Sequence, residues 1–323
     1  MNTLISIVIP TYNRENLIIE AIETCVLQTY RPLEIVVVDD GSTDRTVAFV
    51  QNWNKGASPK EVILKIVQQE NKGGNAARNN GIKNSIGEYI AFLDSDDLWN
   101  KTKLKKQYEL ISQNSAIGGV YCGLRQIEVG SGKVLTDEKR TYTEGNILSQ
   151  LLIKDVTAPT STYIIRKKIF NEVGYFDECL QARQDWDMWI RIAEKYEIRA
   201  VKENLMDLRH HEGPRTASNP LKEINAYKKI RQKYHHLLIK QPKKVQKEAK
   251  ANFYKRLGRV YFHHNISKRL ALSFYIKSIL LFPKDFDNWA ALIGFFLPRF
   301  LRVKLNYLWN KTFSNTKLRI RSH

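Results

Sequence analysis

Gly87-Glu88-Tyr89-Ile90-Ala91-Phe92-Leu93-Asp94-Ser95-Asp96-Asp97 decides how the rest of the chain is read. The apolar, β-forming run from Tyr89 to Leu93 stops at three carboxylates within four positions. A short apolar run bounded by turn signals reads as a buried strand. Carboxylates at its carboxyl end sit at the sheet edge where open α/β folds bind ligands. Two residues apart, Asp94 and Asp96 can face one opening and hold a hard divalent cation against phosphate oxygens. The plainer alternative is an acidic N-cap, with Asp97 or Asn100 capping a helix that starts near Lys101. A cap needs one such residue, and three behind a buried strand favour the metal reading.

Upstream the same pattern repeats. Leu4 to Ile9 reads as a buried strand closed by Pro10-Thr11-Tyr12-Asn13. Glu15 to Gln28 follows as a helix, with Leu17, Ile18, Ala21, Ile22, Cys25 and Val26 on one stripe. Leu33 to Val38 is a second strand, ending at Asp39-Asp40-Gly41-Ser42-Thr43-Asp44, and that turn caps a further helix. Val62 to Val67 is a third. In Asn71-Lys72-Gly73-Gly74-Asn75-Ala76-Ala77-Arg78 two glycines open a helix whose free amides, with Arg78, can meet a pyrophosphate. Strand and helix alternate four times, which implies a parallel, Rossmann-type sheet. Thr11-Tyr12, Asp39-Asp40 and Asp94 to Asp97 then lie on one edge.

Downstream, Lys101 to Ser112 reads as a helix, and Gly118 to Val129 as a long strand turning at Gly130-Ser131-Gly132. Leu151 to Thr162 has no clear period, and Tyr163 to Arg166 reads as a strand. Trp186, Trp189, Ile190 and Ala193 share a helical face, which places Asp185 at that helix's N-terminus beside the sheet. Taken alone, Asp185 reads equally as an N-cap.

The charge is one-sided. Of 52 Lys and Arg against 33 Asp and Glu, residues 213–323 hold 25 basic and 4 acidic side chains. The remaining 27 basic and 29 acidic groups nearly cancel over residues 1–212. Such asymmetry points to an anionic partner, a nucleic acid or an acidic membrane leaflet. Cys25, Cys122 and Cys179 show neither disulfide nor zinc spacing and read as small buried hydrophobes in a reducing compartment. No leader pattern opens the sequence and no apolar run is long enough to span a bilayer, so a cytoplasmic protein is expected.

These segments together resemble the glycosyltransferase family 2 enzymes, inverting transferases with the GT-A fold, over roughly residues 4–218. Ser6-Ile7-Val8-Ile9-Pro10-Thr11-Tyr12-Asn13-Arg14 is similar to the family's opening strand and loop. The resemblance implies that Pro10, Thr11 and Tyr12 pack against a nucleotide base, and that Asp39 binds the base's imide nitrogen. Arg14, Lys72, Gly74, Arg78, Asp94 and Ser95 are the further nucleotide positions it implies. Asp94-Ser95-Asp96 resembles the DXD motif, whose last aspartate is the direct ligand of Mg²⁺ or Mn²⁺. Gln184-Asp185-Trp186 resembles the acceptor-side motif, with Asp185 at the catalytic base and Gln184 where the family usually has Glu. Arg209-His210-His211-Glu212-Gly213 resembles an Arg-x-His-x-Gly segment, in which His211 either approaches the metal or is a surface histidine. The implied reaction moves a sugar from a nucleotide-diphosphate donor, a UDP-sugar in the family's commonest case, to a hydroxyl. The rival readings are a nucleotidyltransferase on the same fold and a non-catalytic binding protein on a retired transferase domain. The first lacks its usual Gly-rich signature at Thr11 to Arg14, and intact Asp39, Asp94, Asp96 and Asp185 weigh against the second.

From Leu221 onward the pattern is helical, and 219–323 reads as a basic helical region. Tyr254, Leu257, Gly258 and Tyr261, then Ala271, Tyr275, Ser278 and Pro283, resemble one tetratricopeptide-like helical pair, or a plain helical hairpin. Trp289 to Leu297 mixes with Arg and Lys downstream as interfacial helices do, although the same aromatics also read as helical core. With no nucleic-acid recognition module in view, the expectation is a peripheral enzyme on an anionic cytoplasmic membrane face, acting on a glycan or lipid-linked acceptor in cell-surface polysaccharide synthesis.

Overall fold

The computed structural model describes residues 3–56, 61–137, 141–210, 219–297 and 301. Among these the chain forms two compact units, one running to Leu151 and from Asp155 to His210, the other taking Leu152–Lys154 and the residues from Asn219 on.

The first unit opens with β1 (Ile5–Thr11), α1 (Ile18–Val26), β2 (Leu33–Asp39), α2 (Thr46–Lys55), β3 (Val62–Gln68), α3 (Gly74–Asn84) and β4 (Tyr89–Phe92). β1, β2 and β4 bury every residue, which is why they read as continuous apolar runs and not as alternating ones. The four strands are parallel in the order β3-β2-β1-β4, with Ile5 opposite Leu33 and Tyr89, and Thr11 opposite Asp39. The order reverses at β1, and open α/β sheets bind ligands at such a switch point. α3 lies tight on this sheet: a Cβ on Gly81 would fall 2.3 Å from Val8 Cγ1.

Beyond β4 the sheet is mixed. β5 (Leu98–Trp99), α4 (Lys103–Ile111), β6 (Ile117–Glu128), β7 (Val134–Thr136), α5 (Leu148–Ile153), β8 (Ile164–Arg166), α6 (Ile169–Val173), α7 (Gln184–Lys195) and β9 (Glu197–His210) follow. The order continues β4-β8-β6-β9-β5, and β8 runs antiparallel to both of its neighbours. Its amino end, and the 3₁₀ turn Thr160–Thr162 before it, therefore arrive beside the carboxyl end of β4. The fourteen-residue β9 is not expected from the sequence, because its burial is too irregular to leave a period. One core residue is an amine: Lys103 is fully buried, with Nζ 2.8 Å from Gln107 Oε1 and 3.8 Å from the Trp99 ring centroid. Cys25 and Cys122 are buried as expected, but Cys179 is exposed, because its loop packs through the flanking Phe176 and Leu180.

The second unit contains α8 (Pro220–Lys233), α9 (His235–Leu238), α10 (Lys243–His263), α11 (Lys268–Leu281) and α12 (Phe286–Phe296). α10 and α11 pair closely at Gly258, where a Cβ would stand 2.7 Å from Tyr275 Cε1. Buried Lys255 bonds Asp285 at 3.0 Å and tethers the start of α12. On α12 Phe286, Trp289, Ile293 and Phe296 are all exposed, three to four residues apart and so on one stripe. No helix among the described residues is long and apolar enough to cross a membrane.

Candidate active site

The site grows from the switch point. β1 ends at Thr11, which is buried, while the next residue, Tyr12, is exposed at the rim. Pro10 lies opposite Val38 in the same ladder. Asp39 Oδ2 accepts the Ser42 N–H at 3.2 Å. Asp39 Oδ1, Thr11 Oγ1 and Arg78 Nε are buried and have no hydrogen-bond partner among the described residues. Leaving such groups unpaired costs about 1–3 kcal/mol each, so two at the sheet edge and one on α3 are free to meet a polar ligand.

Asp40 plays a different part from its neighbour. Its carboxylate accepts Gln69 Nε2 at 2.7 Å, the Lys72 N–H at 2.9 Å and the Gly73 N–H at 2.8 Å. It thereby shapes the turn into α3 and leaves Lys72 exposed at the rim. A Cβ on Gly74 would approach Arg78 Nη1 to 3.3 Å, so the missing side chain gives the guanidinium room.

The acidic loop is held from four distant places. Arg78 Nη2 pairs with Asp94 Oδ1 at 2.5 Å. Ser161 Oγ accepts the Asp94 N–H at 3.0 Å and donates to Asp97 Oδ2 at 2.8 Å. Arg209 donates from Nε to the Asp96 carbonyl at 2.6 Å, and its guanidinium also bonds Glu20. Arg14 Nη2 lies 3.8 Å from Asp96 Oδ2. Ser95 is buried. Asp97 is buried as well and does not cap the next helix; burial, then the charges of Asp96 and Asp94, push its pKa well up. Asn100 instead accepts the Thr102 N–H at 3.0 Å just before α4.

The described residues contain no group of three or more His, Cys, Asp or Glu side chains set to hold a metal. Asp94 and Asp96 nevertheless fit a hard cation of the Mg²⁺ type, which usually takes one or two carboxylates and fills its shell with phosphate oxygens and water. His211 lies outside the described residues.

Asp185 stands in the first turn of α7, after Arg183 in the left-handed region at φ 58°. The cap position is Arg183, without a side-chain cap bond, so Asp185 is not an N-cap. Its Oδ1 accepts the Trp186 N–H at 2.8 Å, and Trp186 is pinned by Nε1 to the Leu151 carbonyl at 2.8 Å. Burial raises Asp185 to about 6; Asp155 adds to the rise, while Arg183 and Arg78 oppose it. The Arg78 charge therefore bears on both Asp94 and Asp185. Ser161, Arg209 and Asp155 were not assigned roles from sequence. Arg209 had a signal in its Arg-x-His context, whereas Ser161 and Asp155 come from the stretch without a period.

Residues 6–174 match the family model for Glycosyl transferase family 2. An uncharacterized glycosyltransferase of Rickettsia felis is 34% identical over 221 residues, 68% of this chain and 35% of that protein, so the match spans about a third of that relative. The Escherichia coli UDP-Glc:alpha-D-GlcNAc-diphosphoundecaprenol beta-1,3-glucosyltransferase WfaP is 31% identical over 73% of this chain and 90% of its own. Two solved structures share the fold. S. aureus TarS residues 1–349 in complex with UDP-GlcNAc has a TM-score of 0.57 at 21% identity, covering 90% of this chain and 91% of TarS. Mannosyltransferase PcManGT from Pyrobaculum calidifontis, in complex with GDP-Man and Mn²⁺, has a TM-score of 0.60 at 18% identity, covering 95% and 87%. The sheet around the β1 switch point is the GT-A fold. The chain belongs to glycosyl transferase family 2.

Proposed function

We propose that the protein is an inverting, metal-dependent transferase that moves a sugar from a UDP-sugar to a hydroxyl of a lipid-linked or glycan acceptor in cell-surface polysaccharide synthesis. The observation that carries this reading is that unpaired Asp39 Oδ1 and Thr11 Oγ1 share the sheet's carboxyl edge with the Arg78–Asp94 pair and Asp96, while the Arg78 charge also acts on the Asp185 carboxyl, raised to about 6. The name of WfaP, which couples UDP-Glc to a diphosphoundecaprenol acceptor, supports both the donor class and the acceptor class.

In this mechanism Asp39 accepts from the base imide, and Pro10, Thr11 and Tyr12 bound the base, with Arg14, Lys72, Gly74 and Ser95 around the rest of the nucleotide. Arg78 sits against the diphosphate and stabilises the charge that grows there as the glycosidic bond breaks. Asp96, with Asp94, would hold Mg²⁺ or Mn²⁺, and the bound ion would supply Lewis-acid neutralisation of that diphosphate. Asp185 is ionised at neutral pH and takes the proton from the attacking hydroxyl. One displacement from the face opposite the leaving group inverts the anomeric centre.

The acceptor is reached at a membrane surface. The exposed stripe on α12, in a sequence that carries 25 basic residues after position 212, suits the cytoplasmic face of an anionic leaflet. The deciding experiment is calorimetric titration of UDP with and without Mn²⁺ on wild type and Asp96→Ala. Metal-dependent binding lost in the variant supports the donor site; binding of equal strength in both would overturn it.

A further inference from the structure

Helix α3 faces two ways at once. Asn75, Arg78 and Asn79 stand at i, i+3 and i+4, so they share one helix face. Arg78 turns to Asp94 at the end of β4. The two asparagines turn to the loop that leads into α7. Asn75 donates from Nδ2 to the Asp177 carbonyl at 3.0 Å and the Leu180 carbonyl at 2.9 Å. Asn79 donates to the Phe176 carbonyl at 2.9 Å and Glu178 Oε1 at 2.8 Å, and accepts the Phe176 N–H at 2.8 Å. Both asparagines are buried. The Phe176 ring also packs under the Arg78 guanidinium, 5.9 Å from its centroid.

Buried backbone groups need partners, and here a separate helix supplies them beside the loop's own turn, in which the Leu180 N–H donates to the Asp177 carbonyl at 3.1 Å. The position of residues 176–180 is thus set by α3, and Asp185 follows five residues after Leu180. We propose that Asn75 and Asn79 are positioning residues that register the loop carrying Asp185 against the helix whose Arg78 meets the donor diphosphate. The proposal rests on the transferase reading for its consequence: α3 sets the spacing between the proton acceptor and the sugar's reacting carbon. Small misplacements of that kind cost rate without costing donor affinity.

The test uses Asn75→Ala and Asn79→Ala in the full chain. Alanine is the best helix former, so α3 keeps its backbone in both. Hydrogen exchange across 176–183 should quicken about tenfold or more as the loop opens locally. Affinity for UDP with Mn²⁺ should stay within about twofold of wild type. With UDP-glucose and GlcNAc-diphosphoundecaprenol as probes, acceptor kcat/KM should fall about tenfold or more while donor KM moves less than about twofold. A residue that merely stabilises the fold would not split the two substrates in this way. Unchanged exchange in both variants, or UDP affinity falling as far as transfer, would overturn the proposal. Exchange and UDP titration still decide the matter if the wild type does not turn over these probes, so a wrong substrate assignment is distinguishable from a wrong clamp.

Discussion

The Arg78 guanidinium stands 2.5 Å from the Asp94 carboxylate and joins α3 to the end of β4. Arg78 has only 9% of its side chain exposed, whereas Asp94 keeps 32%. Removing the acid therefore strands a buried cation, which is the costlier direction. Asp94→Asn should lower unfolding free energy by about 2–3 kcal/mol in denaturant titrations. Arg78→Ala should instead lower kcat by about 10²–10³, the usual worth of a donor aimed at developing charge. Equal stability loss in both variants would contradict the assignment.

Asp185 gives a pH signature. With the carboxyl at about 6, the base form is lost as pH falls through that value, so kcat should decline on the acid side of about 6 with unit slope. Substrate-independent acid loss below about 4 would instead point to general carboxylate titration.

The same residue carries a stability cost. A folded pKa raised from 3.8 to about 6 favours the protonated fold, so the stabilisation present below the unfolded value is lost as pH rises through the folded one. Asp185→Asn should therefore abolish transfer yet raise stability at pH 7–8 by on the order of 2–3 kcal/mol, with the gain vanishing near pH 4. Melting curves of the two proteins across that range measure it.

Gly81 is a packing requirement. Its missing Cβ would lie 2.3 Å from Val8 Cγ1 and 3.1 Å from Val38 Cγ2, so Gly81→Ala must lift α3 from β1 and β2. The helix-propensity gain of about 1 kcal/mol is smaller than the overpacking, and a net loss of about 2 kcal/mol is expected by denaturation.

Vesicles test the second unit. Titrating anionic phospholipid vesicles should blue-shift the Trp289 emission, with the shift absent for neutral vesicles and reversed by salt. Replacing Phe286, Trp289, Ile293 and Phe296 together by serine should abolish co-sedimentation while Mn²⁺–UDP binding persists. Co-sedimentation that survives the fourfold change would remove α12 from the account.

Much of this was legible because it is local. β1, β2 and β4 announce themselves as unbroken apolar runs ended by polar residues, and the repeated helices between them fix the parallel order. Asp39, Asp94, Asp96 and Asp185 stand out as candidates because they sit at strand or helix ends. What stayed hidden was non-local. β8 is only three residues long, Ile164–Arg166, and nothing in them tells that it runs against β4 and delivers Ser161 to the acidic loop. β9 breaks its period with register shifts against β6. Asn75 and Asn79 look like ordinary polar helix residues until their partners a hundred positions away are in view.

The acidic loop's four anchors, Arg14, Arg78, Ser161 and Arg209, have a consequence for engineering. An aspartate pair grafted onto the end of another parallel strand would carry the carboxylates without their geometry, since each restraint comes from a different part of the chain. The portable unit is not the eleven-residue stretch but the whole sheet from β1 to β9, and a transplant or chimera must cross over outside it to keep the site.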